Sequence, residues 1–153
     1  MGDWHAVELS ELVTAQGPQR QFLTPAIAHG AQLSTGFVVM PPGHHAIPHK
    51  HSKYDIAIVV LEGNVMSLLG DQLQDAIPHK AGDNILIPAG MPHAGVNLSS
   101  TNRVVLIECR ADPQFNIDVQ LLPHLDGRIK EAAAYYQGMF VEPEDDRTVL
   151  DLL

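Results

Sequence analysis

Short apolar segments rich in Val and Ile recur along the middle of the chain: Gly36 to Met40, Tyr54 to Leu61, Asn64 to Leu69, Asn84 to Ile87, Arg103 to Cys109 and Ile117 to Leu122. Between them stand Pro41-Pro42-Gly43, Glu62-Gly63, Gly70-Asp71, Ala81-Gly82-Asp83 and Pro88-Ala89-Gly90. That density of Gly and Pro breaks helices and suits tight connections between antiparallel strands. Many short strands at regular spacing predict an all-β sandwich or barrel. Glu62-Gly63 and Gly70-Asp71, each flanked by hydrophobic runs, predict two consecutive hairpins.

The ends read differently. Trp4 to Pro25 is polar and mixed, compatible with an arm or a short edge strand. Gly127 to Tyr136 predicts a helix, because Lys130-Glu131-Ala132-Ala133-Ala134 are good helix formers, and Gly138 is placed to terminate it. An acidic loop, Glu142 to Asp146, follows. The last apolar residues, Val149, Leu150, Leu152 and Leu153, form a tip that packs either on a neighbouring subunit or back on its own chain.

Composition narrows the function classes. The 153 residues fit one domain, large enough to bury its own core. With a formal charge of −9 and no dense Lys/Arg cluster, neither nucleic acid nor an anionic membrane surface is expected as a partner. The longest apolar runs, such as Ile56 to Leu61, are far too short to span a bilayer. Asp3, Glu8 and Glu11 in the first residues do not resemble the basic start of a signal peptide, so a cytoplasmic location is expected. Cys109 is the single cysteine; it permits no internal disulfide and reads as a small hydrophobe on an apolar strand.

The chemistry is concentrated in two motifs: Gly43-x5-His49-x-His51-x3-Asp55 and Gly82-x5-Pro88-x-Gly90-x2-His93-x3-Asn97. His49 and His51 are two apart, so on a strand they project to one face. His93 follows Pro88-Ala89-Gly90-Met91-Pro92, a bend rigid enough to fix where its imidazole points. Nine histidines make a lone pair weak grounds for a site. The second motif, with five fixed residues at roughly 1 in 20 each, has a chance probability on the order of 1 in 20,000 over all starting points. Three imidazoles and a carboxylate, His49, His51, His93 and Asp55, are a ligand set for one transition metal ion.

These motifs resemble those of the cupin superfamily, over roughly Leu33 to Leu122. The second motif fits at every fixed position. The first fits at Gly43, His49 and His51, then departs twice: the usual glutamate is Asp55, and the closing glycine, Gly63, arrives one residue late. The resemblance implies a cupin-type antiparallel jelly-roll barrel (33–122) with an N-terminal arm (1–32) and a C-terminal extension (123–153) carrying a short helix. It also implies one divalent metal ion (Fe, Mn, Ni or Zn) and a homodimer. Aspartate reaches about 1.5 Å less far than glutamate. Asp55 therefore either ligates directly with help from a bulge before Gly63, or acts through a water or as an acceptor for an imidazole N–H.

Three or four protein ligands leave coordination positions open for chemistry. The expected function is a metal-dependent enzyme acting on a small oxygenated organic molecule, of dioxygenase type. A non-redox cyclase or isomerase and a non-catalytic small-molecule-binding cupin are the alternatives. His44 and His45 lead into the first histidine strand and are read as solvated loop or an additional contact; His5, His29, His79 and His124 lack motif context, and Tyr54 is read as core.

Overall fold

The computed structural model describes residues 13–14, 22–27, 32–112 and 117–143. Most of the N-terminal arm and the apolar C-terminal tip fall outside these residues. Eleven strands are described: β1 (Val13–Thr14), β2 (Phe22–Ile27), β3 (Ser34–Met40), β4 (His49–His51), β5 (Ile56–Glu62), β6 (Asn64–Leu69), β7 (Asp75–Lys80), β8 (Asn84–Ile87), β9 (His93–Asn97), β10 (Val104–Arg110) and β11 (Val119–Leu121). A single 3₁₀ turn, Pro123–Leu125, leads into the helix α1 (Asp126–Met139).

The strands form two antiparallel sheets, β1-β2-β3-β10-β5-β8 and β11-β4-β9-β6-β7. From β3 onward the chain changes sheet at every connection except β6 to β7. This is the jelly-roll arrangement expected from the motifs. It corrects one of the two predicted hairpins. Gly70-Asp71 joins β6 to β7, which do pair, but Glu62-Gly63 carries the chain from one sheet to the other. Gly63 has φ +84°, and a Cβ there would sit 2.4 Å from the Arg103 carbonyl oxygen, so only glycine makes this crossing without displacement.

The core lies between the sheets. β3, β5 and β8 alternate strictly, sending Val38, Met40, Ile56, Ile58, Val60, Ile85 and Ile87 inward, where Val104, Leu106 and Val65 meet them. In β6 the alternation disappears because both faces are buried. Its outer face, with Met66 and Leu68, packs with Ala94 and Val96 beneath Leu125, Ile129 and Ala133 of the helical segment. Burying each such Val, Leu or Ile contributes about 1.5–3 kcal/mol.

Two elements differ from expectation. β7 was not evident because Asp75-Ala-Ile-Pro-His-Lys80 is polar and holds a proline; it is an edge strand, where a missing N–H costs least. The helix continues through Gly138 and ends only at Phe140, whose backbone is extended. Tertiary contact outweighs the glycine's weak propensity there: Gln137 Nε2 donates to the Asn97 carbonyl at 2.8 Å and holds the last turn against β9.

Candidate metal centre

β4 and β9 lie side by side with His49 opposite His93, and the alternation of β4 turns His51 to the same interior face as His49. One ring nitrogen from each of the three lies within 4.8 Å of the others. The ring centroids are 4.3 Å apart for His49 and His93, 5.3 Å for His49 and His51, and 5.9 Å for His51 and His93. All three residues are buried.

The other nitrogen of each ring is tied back to the protein. Nδ1 of His49 lies 2.7 Å from the Ile47 carbonyl, Nδ1 of His93 lies 2.8 Å from the Met91 carbonyl, and Nδ1 of His51 lies 2.9 Å from Asp118 Oδ1. These acceptors require Nδ1 to carry the proton, which leaves Nε2 as the lone-pair nitrogen. His51 Nε2 is buried and has no hydrogen-bond partner among the described residues. An unmet buried polar atom costs about 1–3 kcal/mol. A metal ion among the three imidazoles removes that cost, so the donor set fits one.

Charge and burial keep the rings in the ligating form. Burial lowers His49 well below the usual histidine range, and the neighbouring His93 adds to it. Burial likewise lowers His93 to about 4, only partly offset by the Met91 carbonyl. For His51 burial and the Arg110 charge push down, while Asp118 pushes back up. Asp118 itself is raised by burial, but its bonds from the His51 ring and the Lys53 and Tyr54 N–H groups prevail and hold it below the ordinary carboxylate range. It therefore remains an anion, fixing the ring plane and proton position of His51 while closing the loop after β4.

The motif residues around the histidines have structural roles. Gly90, at φ +82°, donates its N–H to the His51 carbonyl at 2.7 Å, joining the Pro88 turn to β4. Asn97 is fully buried; its Nδ2 lies 2.9–3.1 Å from the carbonyls of Met40, Pro41 and Asn102, and its Oδ1 accepts from the Ser99 N–H. It anchors the end of β9.

Asp55 is not brought to the three imidazoles. It is exposed, and its Oδ1 accepts the Ala89 N–H at 2.8 Å. The reason is strand parity: β5 sends Ile56, Ile58 and Val60 inward, so the residue before Ile56 points out. The late Gly63 and the misplaced carboxylate thus have one origin. Counted back from Gly63 by the usual spacing, the inward position is Ile56, 1% exposed. The expected acceptor for an imidazole N–H exists, but it is Asp118. His44 and His45 bond locally, to the carbonyls of Pro42 and Ala46, and neither lines the interior cavity.

That cavity has a volume of about 50 Å³ and reaches His49 and His93. Its walls are mostly apolar, with Ser67, Glu108 and Arg110 as the further polar residues. Glu108 and Arg110 went unread in the sequence although the alternation of β10, with Val104 and Leu106 inward, already assigns them the same face. Asp118 carried no sequence signal, being 67 residues from its partner. A larger open groove of about 580 Å³ lies outside the barrel, lined by His79, Tyr135, Tyr136 and Phe140 among others; none of the three clustered histidines reaches it.

A two-sheet antiparallel barrel with an imidazole cluster in its interior defines a protein of the double-stranded β-helix class. The model of the cupin domain family matches residues 36–109. That stretch carries both histidine motifs and is therefore a cupin domain. The chain is similar in fold to a Klebsiella pneumoniae protein with a double-stranded β-helix domain (TM-score 0.59, 16% identity, covering 78% of this chain and 97% of that one). It is also similar to an oxalate oxidase (TM-score 0.61, 16% identity, 91% and 82%). The cupin domain of Schizosaccharomyces pombe Cnp3 aligns over 61% of this chain and 63% of its own (TM-score 0.53, 17% identity). Compared with curated proteins, the sequence has no significant match.

Proposed function

We propose that this cupin is a metal-dependent enzyme of dioxygenase type, acting on a small oxygenated organic molecule, with His49, His51 and His93 as the protein ligands of one divalent transition metal. The observation that carries the reading is the convergence of three neutral, buried imidazoles whose Nδ1 atoms are all engaged, with His51 Nε2 left without a partner among the described residues.

When bound, such a metal supplies a Lewis acid and, if redox-active, electrons for dioxygen chemistry. The chain's own residues set the conditions. Burial keeps the imidazoles neutral, and Asp118 and the Ile47 and Met91 carbonyls fix their orientation. Val38, Ile58, Val65 and Leu106 give the cavity apolar walls, and such low-polarity surroundings strengthen charge interactions inside it. Its volume of about 50 Å³ is several times the space one water needs and far below a typical drug-sized site, which favours a reactant of few atoms.

The test is oxygen uptake by protein loaded with Fe(II), against a panel of small enols, thiols and aromatic diols. Substrate-dependent uptake that disappears in His93→Ala is the expected result. Turnover of a panel compound without oxygen uptake contradicts the dioxygenase reading and favours cyclisation or isomerisation.

A further inference from the structure

Three neutral imidazoles bring no charge to a divalent ion, and the inward position of β5 where a carboxylate is expected is the apolar Ile56. The barrel interior contains another. β10 continues its inward phase from Val104 and Leu106 to Glu108 and Arg110. In the pairing of β10 with β5, Glu108 stands opposite Ile58 and Arg110 opposite Ile56. Glu108 is therefore one diagonal step from the place left apolar, a distance long side chains span.

Glu108 lines the same cavity as His49 and His93. The Arg110 guanidinium, 1% exposed, contacts the carboxylate directly.

We propose that Glu108 is the carboxylate of the metal centre: from β10 it faces the cavity that His49 and His93 also line, and Arg110 fixes its position there. This inference rests on the metal-binding reading above. The competing role is purely internal, with Glu108 present only to neutralise a buried arginine.

Co(II) affinity, measured by competition with a chromophoric chelator, separates the two. Glu108→Gln is expected to lose about tenfold or more, the scale of removing a supporting group from a metal site. Asp55→Asn is expected to bind like the unaltered chain. In the double variant Glu108→Gln/Arg110→Met the affinity stays low if Glu108 serves the metal; recovery to the original value overturns the inference. Should the double variant fail to fold by circular dichroism, the visible spectrum of the Co(II)-saturated single variant decides: shifted bands support the inference, and unchanged bands with unchanged affinity overturn it. Binding lost in His51→Ala but untouched in Glu108→Gln defeats this inference alone. No Co(II) binding by the unaltered chain defeats the parent reading with it.

Discussion

A buried histidine presents a metal-ready nitrogen only when something else fixes its proton. Here two backbone carbonyls serve His49 and His93, and a carboxylate, Asp118, serves His51. Asp118→Asn keeps the shape and one acceptor oxygen but removes the anion. Metal affinity is expected to fall about tenfold, with the circular dichroism spectrum retained; affinity equal to the unaltered chain contradicts the role assigned to Asp118. At this scale the three histidines were legible in the sequence because their spacing encodes a strand face and a rigid bend. Asp118 was not, because a contact across 67 residues leaves no local pattern. Asp55 misled for the opposite reason: it sits close to the motif's usual position, yet strand parity turns it outward and makes it an acceptor for Ala89.

Elements showed their existence more clearly than their partners. The Val- and Ile-rich runs became β3, β5, β6, β8 and β10, since alternation and turn residues are local properties. Whether Glu62-Gly63 closes a hairpin or crosses between sheets depends on where β10 lies, which local pattern does not record. The cost of filling that crossing is open to measurement. Gly63→Ala combines a positive φ with a clash against the Arg103 backbone and is expected to destabilise by about 2 kcal/mol or more in chemical denaturation. Gly90→Ala, with positive φ but open space around its Cβ, is expected to lose about 1 kcal/mol. Equal losses contradict the close approach at Gly63.

For the molecule as a whole, one side of each sheet builds a mostly apolar interior and α1 covers the other side of β6 and β9, so β9, the strand that carries His93, is buried on both faces. The pairing of β4 with β9 brings the three histidine side chains to a common point. The central claim, that this point is a metal site made by His49, His51 and His93, is tested most directly by elemental analysis after dialysis against metal-free buffer. The unaltered chain is expected to retain close to one transition metal ion per polypeptide, and His51→Ala and His93→Ala to retain almost none. Undiminished metal in both variants contradicts the site.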